Sequence, residues 1–218
     1  MMPALVVFLG NPGALYKHNR HNAGRLLAEK LSCYPSINWQ KKYKGLYASV
    51  DLAPSFDLGP SLVRVHFLMP ETYMNLSGHS VQAAAFFHKI KPGSIIAVHD
   101  ELELPLGCIS LKYGGGLGGH NGLRSMKDRL GTADFWRIRI GIGRPAGRAP
   151  GQGGPGCPLK GNPSGSGGDV SGWVLSDFSA AEQPALEAAL EAGAELLIRA
   201  VTEDPQSLLD EWKKKRVL

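Results

Sequence analysis

Three polar positions in the sequence carry side chains that could perform acid–base chemistry. Asn11 follows an apolar run, His21 lies just before a helical pattern, and Asp100 closes a second apolar run. A neutral imidazole can accept a proton near neutral pH, and a carboxylate can orient such a ring and stabilise its protonated form. These residue types indicate a general acid–base site. Taken singly, Asn11-Pro12-Gly13 could be a plain turn and His21 a structural histidine.

The partner of Asp100 follows from strand geometry. His99 and Asp100 are adjacent on one predicted strand, so their side chains should point to opposite sides. Asp100 is therefore expected to serve a histidine from elsewhere in the chain. The alternative is an exposed acidic turn that leads into Pro105. Asn22 could cap the helix after His21, which would leave His21 outside that helix and free to face a cleft.

A Gly-rich stretch, Gly114-Gly115-Gly116-Leu117-Gly118-Gly119, is the most unusual segment. Glycines allow a backbone to approach a ligand closely. The stretch formally contains G-x-G-x-x-G, but it comes late in the chain, and the acidic residue expected farther on in a dinucleotide site is missing. No Gly-Lys-Ser/Thr follows, so it is not a Walker A phosphate loop either.

A metal site has little support in the sequence. His18 and His21 lie close together, but no H-E-x-x-H motif or cysteine pair accompanies them. The ligand spacings of zinc sites are therefore absent. We predict neither a catalytic metal nor a cofactor.

The elements that must position these residues alternate between strands and helices, which predicts an α/β layer fold. Strands are predicted for Ala4 to Leu9, Leu46 to Leu52, Leu62 to Met69, Ser94 to Val98 and Trp136 to Ile142, the last with Arg137 and Arg139 on one face. Helices are predicted for Asn22 to Leu31, Tyr73 to Ile90, Asn121 to Leu130, the segment after a capping box at Ser179 to Glu182, and Ser207 to Lys215.

The segment from Arg144 to Gly168 differs from the rest of the chain. It is dense in Gly and Pro and nearly free of large apolar residues. We interpret it as a flexible insertion, at about residues 144–168, and not as a domain boundary.

Composition bounds the class of protein. With 43% hydrophobic and 20% charged residues, the 218-residue chain can bury a core and is not expected to be disordered. A net charge of +5 suits a polyanionic partner, although charge alone is weak support. The three cysteines are scattered and no C-x-x-C occurs, so no disulfide scaffold is expected and a reducing cytoplasm is predicted. The short apolar run near the N-terminus predicts neither a signal peptide nor a membrane span.

Together these motifs resemble the bacterial-type peptidyl-tRNA hydrolase family. The first motif is Gly10-Asn11-Pro12-Gly13 with Tyr16, and order and approximate spacing hold from about Leu5 to Gly143 and more loosely through Trp173 to Phe178. It continues through Arg20-His21-Asn22-Ala23-Gly24, Tyr73-Met74-Asn75-Leu76-Ser77-Gly78, His99-Asp100-Glu101-Leu102, Gly118-Gly119-His120-Asn121-Gly122-Leu123 and Arg137-Ile138-Arg139-Ile140-Gly141-Ile142-Gly143.

This resemblance implies a fold and an activity. The fold is a single α/β domain, residues 1–218, with a mixed sheet flanked by helices, as in phosphorylase/hydrolase-like proteins. The activity is hydrolysis of the ester that joins a peptide to tRNA, without a cofactor, by a monomer in the cytoplasm. Peptidyl-tRNA is the implied partner, and no membrane is involved.

The resemblance also assigns roles to residues. His21 is the general base, Asp100 orients and stabilises it, and Asn11 senses whether the α-nitrogen of the substrate is blocked. The peptide and the tRNA 3′ end are contacted by Asn75, Asn121, His120, Tyr16 and Tyr73. Lys112 and Arg139 grip a tRNA phosphate, a contact that carries no sequence information and suits an enzyme that accepts many tRNAs.

Three departures and two alternatives accompany the resemblance. Leu117 replaces a frequent histidine and Glu103 a frequent aspartate, and the insertion is longer than usual, which bears on the tRNA side of the site. One alternative is an RNA-binding relative without activity, against which the presence of His21, Asp100 and the asparagines argues. The other is a hydrolase of free peptides, against which Lys112 and the basic charge argue.

Overall fold

The apolar run near the N-terminus forms strand β1 (Leu5–Phe8), and all of its residues are buried in the computed structural model. β1 lies between two parallel neighbours, β4 (Val63–Pro70) and β5 (Ile95–Glu101). A strand covered on both faces needs apolar side chains that point both ways, which explains a continuous run in place of an alternating one. The structure describes residues 2–53, 62–145 and 170–217 of the chain.

Eight strands form one mixed sheet within these described ranges, in the order β2-β3-β4-β1-β5-β7-β6-β8. The strands not yet given are β2 (Gln40–Lys42), β3 (Gly45–Leu52), β6 (Cys108–Tyr113), β7 (Trp136–Gly141) and β8 (Lys215–Arg216). β4, β1, β5 and β7 pair in parallel, and the outer strands join antiparallel. The parallel strands bring their carboxyl ends to one edge, which is where ligands gather in such sheets.

Helices cover both faces of this sheet. The helices are α1 (Ala23–Glu29), α2 (Ser77–Phe87), α3 (Asn121–Leu130), α4 (Val170–Val174) and α5 (Gln183–Thr202). Phe8 shares one core with Leu27 of α1 and Leu197 of α5, whereas its neighbour Val7 shares a second core with Val81 of α2. Successive residues of a strand point to opposite faces, so the two cores lie on opposite sides of the sheet. The expected α/β fold, a mixed sheet flanked by helices, is confirmed.

The predicted strands and the helix Asn121–Leu130 are present, with small shifts at their ends. Two helix predictions need correction. The helix predicted from Tyr73 begins at Ser77, after a 3-10 turn at Met74–Leu76, and ends at Phe87. The predicted Ser207 to Lys215 helix was wrong. A 3-10 turn at Pro205–Leu208 is followed by further turns and bends over residues 209–214, and only then by the two-residue strand β8, which pairs with the outer edge of β6.

Two further expectations meet the structure only in part. Cys33 is a free thiol, whereas Cys108 at the start of β6 is disulfide-bonded. One disulfide is not a scaffold, but it removes the support that cysteine usage gave to a reducing compartment.

Of the predicted insertion, residues 146–168 lie outside the described residues. No helix in the described ranges has the length and apolar character that crossing a bilayer requires.

Candidate active site

His21 and Asp100 meet at the carboxyl edge of the parallel strands. His21 lies in a 3-10 turn, Arg20–Asn22, that enters α1 after β1, and Asp100 lies near the end of β5. Because β1 and β5 are parallel neighbours, the segments that follow them emerge side by side. His21 Nδ1 lies 2.9 Å from Asp100 Oδ1, so Asp100 does bond to a histidine from elsewhere in the chain.

The electrostatics of this pair favour a protonated imidazole. Burial alone lowers the pKa of His21, but the charge of Asp100 and the hydrogen bond to it raise that pKa above its ordinary value. Burial alone raises the pKa of Asp100, but the two neighbouring imidazoles of His21 and His120 hold it well below its usual range. Asp100 is therefore a carboxylate at neutral pH. The Nδ1 proton of His21 points at it, which leaves Nε2 of His21 as the basic atom.

His120 is the second partner of Asp100 and also the N-cap of α3. Its Nδ1 accepts hydrogen bonds from the backbone N–H groups of Gly122 and Leu123, at 3.1 and 3.3 Å. A nitrogen that accepts cannot carry the proton, so the proton of the neutral ring is on Nε2. His120 Nε2 lies 3.0 Å from Asp100 Oδ1 and donates to it. One carboxylate oxygen thus receives two N–H donors, and both imidazole tautomers are determined by the fold.

His99 has a different environment from the other two histidines. It is fully buried, and burial holds its pKa well below the ordinary value. Its Nδ1 lies 2.6 Å from the backbone carbonyl oxygen of Asp100, not from the carboxylate. His99 therefore packs beneath the site and leaves the carboxylate to His21 and His120.

The ligand atoms of His21, Asp100 and His120 lie within 4.8 Å of one another, which is close enough for a shared metal ion. The chemistry of the donor set opposes that use. A metal on Nε2 of a neutral His120 would move the ring proton to Nδ1, where two backbone N–H groups already donate. Metal binding would therefore cost the cap of α3, and these side chains fit an acid–base role better.

Asn11 is buried and its amide is oriented by the fold. Its Oδ1 accepts a hydrogen bond from the backbone N–H of Met74 at 2.8 Å. Asn22 was predicted to cap α1, and it occupies that position, but its side chain bonds to the backbone of Asn11 instead, at 2.8 and 3.0 Å. Since Oδ1 of Asn11 is engaged, its amide N–H groups are what it can offer to a ligand in the cleft.

A cleft of about 740 Å³ opens over these residues. Its walls include five of the ten site residues predicted from the sequence, namely Asn11, His21, Tyr73, Asn75 and Asn121. A smaller cavity of about 200 Å³ adjoins it and is lined by His21, Asp100, Gly118, Gly119, His120 and Asn121. Tyr16 is half-buried and lines neither of these two cavities.

Lys112 and Arg139 lie outside both cavities, on β6 and β7. Arg139 donates to Ser110 Oγ at 2.8 Å and approaches a carboxylate oxygen of Glu101 at 3.5 Å. Burial lowers the pKa of Lys112, and so do the neighbouring Arg137 and Arg139, whereas Glu101 opposes them. The structure thus brings the two residues of the predicted phosphate grip near each other, beside one acidic group.

Arg137 has a role that the sequence did not reveal. It is fully buried and its guanidinium donates to the carbonyl oxygens of Gly114 and Gly116. Gly114, Gly115, Gly118 and Gly119 all have positive φ, between 57° and 79°, which explains the choice of glycine. The alternation of β7 placed Arg137 and Arg139 on one face but could not show which of them supports the Gly-rich loop.

The sequence also missed the α4 wall of the cleft. Ser171 and Val174 line both cavities, Val170 the smaller one and Leu175 the larger one. Nothing in their residue types indicates chemistry, and α4 is too short for a periodic pattern to reveal it.

The fold and this site define an α/β protein with a buried histidine–aspartate pair suited to acid–base chemistry, and comparison with known proteins identifies its family. The family model for peptidyl-tRNA hydrolase matches residues 5–153. The chain is 46% identical to a peptidyl-tRNA hydrolase of Treponema pallidum (strain Nichols), over 98% of this chain and 96% of that protein. It is 38% identical to the one from Desulfitobacterium hafniense (strain Y51), over 91% and 90%.

Solved structures agree with these sequence comparisons. The crystal structure of peptidyl-tRNA hydrolase from Acinetobacter baumannii superposes with a TM-score of 0.77 at 32% identity, and the match covers 97% of this chain and 94% of that one. The chain therefore belongs to the peptidyl-tRNA hydrolase family.

Proposed function

We propose that His21 is the general base with which this chain performs the reaction of its family, hydrolysis of peptidyl-tRNA. The enzyme cleaves the ester between the peptide and the 3′-terminal ribose, which returns free tRNA from prematurely released peptidyl-tRNA. One observation carries the proposal. His21 Nδ1 is engaged by Asp100 at 2.9 Å while the His21 ring lines the cleft, so Nε2 is the atom left to activate a water.

The reaction proceeds by direct attack of water. His21 Nε2 takes a proton from the water as its oxygen bonds to the ester carbonyl carbon, which produces a tetrahedral oxyanion. Collapse of this intermediate breaks the bond to the ribose 3′ oxygen, and the imidazolium returns its proton to that oxygen. Asp100 stabilises the imidazolium between these two steps. The products are a free 3′ hydroxyl and a peptide carboxylic acid, which loses its proton to solvent at neutral pH, and no covalent enzyme intermediate forms.

Asparagine amides supply the neutral donors of the site. Asn121 is the first residue of α3, at the end of the helix where backbone N–H groups and the helix dipole favour negative charge, and it lines both cavities. We assign Asn121 and Asn75 to the peptide and the tRNA 3′ end, where they can stabilise the oxyanion. Asn11 offers amide N–H groups, which fits a carbonyl on a blocked α-nitrogen better than a free ammonium.

The residues that we assign to tRNA binding extend beyond the cleft. Tyr73 is exposed at the cleft and can stack on a terminal base, and Tyr16 is assigned to the same end of the tRNA. His120 lines the smaller cavity, and we assign it to the same 3′ end of the tRNA. Lys112 and Arg139 bind a phosphate of the acceptor stem.

The same proposal covers the state and place of the enzyme. All of these side chains come from one copy of the chain, which suits a monomer. One sheet contains both β1, near the N-terminus, and β8, near the C-terminus, which supports one domain over residues 1–218 with an insertion at about 144–168. Peptidyl-tRNA arises on ribosomes, and we therefore infer a cytoplasmic location.

The decisive experiment compares two substrates. Purified protein should release the N-acetyl-amino acid from N-acetyl-aminoacyl-tRNA and leave a free peptide of the same sequence intact. A His21→Asn variant should bind the charged tRNA without cleaving it. Binding without turnover by the wild-type chain would indicate an RNA-binding relative, and cleavage of the free peptide would indicate a peptide hydrolase.

A further inference from the structure

Arg20, the neighbour of His21, is a buried cation whose two terminal nitrogens are both hydrogen-bonded, while its Nε has no partner among the described residues. Its side chain is 4% exposed. Nη2 donates to both carboxylate oxygens of Glu182, at 2.9 and 2.7 Å. Nη1 donates to Ser176 Oγ at 2.8 Å and to the backbone carbonyl oxygens of Ser176 and Asp177. A planar guanidinium is the side chain whose donors can serve so many acceptors at once.

Aromatic rings cover the guanidinium on its faces. Arg20 Cζ lies 3.8 Å from the ring centroid of Trp173 and 4.9 Å from that of Phe178. Trp173 is itself held, because its Nε1 donates to the carbonyl oxygen of Gly143 at 2.9 Å. Cation–π contacts of a desolvated arginine add to the hydrogen bonds, so the segment that carries these rings is anchored firmly.

The anchored segment is the one that forms a wall of the cleft. Trp173 belongs to α4, and Ser176 and Asp177 follow it, so the partners of Arg20 span the end of α4 and the turn before α5. The backbone N–H of Arg20 also donates to the carbonyl oxygen of Ser176 at 3.0 Å. α4 contributes Val170, Ser171 and Val174 to the cavities beside His21 and Asp100.

We propose that Arg20 is a positioning residue that holds α4 against the turn bearing His21 and so sets the affinity for peptidyl-tRNA. This inference rests on the proposed function, since it names the substrate whose binding α4 affects. Arg20 contacts neither reacting atoms nor the Asp100 carboxylate. The carboxylate of Glu182 neutralises its charge, and Arg20 is not among the groups that shift the pKa of His21. Replacing Arg20 should therefore weaken the binding of substrate and leave the pKa of His21 unchanged.

Arg20→Lys is the variant that tests this anchor. Lysine keeps the positive charge but cannot serve Glu182, Ser176 and Asp177 together, because its ammonium is a single point with no fork. We expect amides of residues 171–178 to exchange with deuterium faster in this variant, as measured by peptide-resolved mass spectrometry. Amides of α1 should keep their wild-type exchange rates.

Substrate affinity is measured without turnover. In a His21→Asn background, adding Arg20→Lys should raise Kd for N-acetyl-aminoacyl-tRNA roughly tenfold, the ratio that corresponds to about one lost hydrogen bond. In the otherwise wild-type enzyme, KM should rise by a similar factor, while kcat falls by less than threefold and the kinetic pKa stays unchanged. A Glu182→Gln variant should show the same effects in weaker form.

Arg199→Lys is the matched control. Arg199 also pairs with two carboxylates, Glu203 at 3.2 Å and Glu211 at 2.9 Å, but at the far end of α5. The Arg199→Lys variant should lower the melting temperature and leave Kd for N-acetyl-aminoacyl-tRNA unchanged. The inference would be overturned if Arg20→Lys left the exchange of residues 171–178 unaltered. It would also be overturned if exchange became faster while Kd stayed the same, or if the kinetic pKa shifted. Exchange and Kd do not depend on hydrolysis, so an inactive wild-type chain would refute the proposed function alone.

Discussion

The His21–Asp100 pair and the basic cluster of Lys112, Arg137 and Arg139 differ in how their charges are balanced. At the pair, one oxygen of the buried Asp100 carboxylate, Oδ1, receives N–H donors from both His21 and His120, so that oxygen is already hydrogen-bonded before substrate arrives. At the cluster, Lys112, Arg137 and Arg139 interact with one another electrostatically around one carboxylate, that of Glu101. Positive charge there exceeds negative charge.

This difference teaches what each region is suited to do. A preorganised pair accelerates a reaction because nothing must be rearranged when charge develops in the transition state. A cluster of like charges is costly when empty and is relieved by an added anion, so it favours binding over catalysis. Burial and the two arginines lower the pKa of Lys112, and a bound phosphate would raise it again. Substitutions should therefore affect kcat at the pair and KM at the cluster.

The largest effect is expected for His21→Asn. Loss of the general base should lower kcat by roughly 10²- to 10⁴-fold, with KM little changed. His21 faces the cleft but is largely buried, so asparagine is a safer replacement than alanine and a modest fall in melting temperature should accompany the substitution. Steady-state kinetics with N-acetyl-aminoacyl-tRNA measure the effect. Retention of more than about a tenth of kcat would contradict the assignment of the base.

Asp100→Asn should have the next largest effect and should move the pH profile. The amide oxygen can still accept from both imidazoles, so the tautomers survive and only the charge is lost. Losing about 1.4–2.7 kcal/mol of imidazolium stabilisation would lower kcat roughly 10- to 100-fold. Asp100 raises the pKa of His21, so activity should set in at lower pH in the variant than in the wild type. An unchanged onset would show that Asp100 does not govern His21.

His120→Asn should move the same profile in the opposite direction. Asparagine remains a good N-cap for α3 but no longer donates to Asp100 as His120 Nε2 does. The carboxylate then serves His21 alone, so the kinetic pKa should rise, by less than about one unit. The kinetic pKa is measured from kcat at several pH values, and the melting temperature shows whether α3 remains folded in the variant. A fall in the kinetic pKa would mean that His120 acts on the substrate and not through Asp100.

The sequence predicted the central part of the site and missed its supports. Asp100 closes one apolar strand and His21 lies in the segment that follows another, and parallel strands bring such segments to one edge of the sheet, so their meeting could be expected. The bonds of Asn22 to Asn11 and of His120 to Asp100 join side chains across separate loops, and no local pattern encodes them. The anchor of α4 depends on contacts between opposite parts of the chain.

The fold shows the same division. Strands that are buried in a parallel sheet consist largely of apolar residues on both faces. Such runs can be recognised in the sequence, which is why β1, β4 and β5 were predicted. The edge strand β8 has only two residues, and its place is set by the exposed edge of β6, so its sequence was misinterpreted as part of a helix. Alternation alone could not show that Arg137 is buried under the Gly-rich loop and Arg139 is not.

The smallest effects are expected at the basic cluster, where Lys112→Ala and Arg139→Ala should act on binding. Each should raise KM for peptidyl-tRNA roughly three- to tenfold with kcat nearly intact, since a partly solvated ion contact contributes about 1 kcal/mol. Each should also flatten the dependence of binding on salt, because one fewer counterion is released from the phosphates.

Two controls make this last prediction sharp. A minimal substrate that lacks the 5′ phosphate of the acceptor stem should show no change in KM with either variant, because the phosphate that they bind is absent. Arg64→Ala removes the same charge from an exposed arginine that pairs with Asp51 across β3 and β4, where the sheet lies away from β6. If Arg64→Ala raised KM as much, net charge and not the cluster would be responsible. Equal changes on full and minimal substrates would point to an indirect effect on the cleft, through Glu101 released from Arg139.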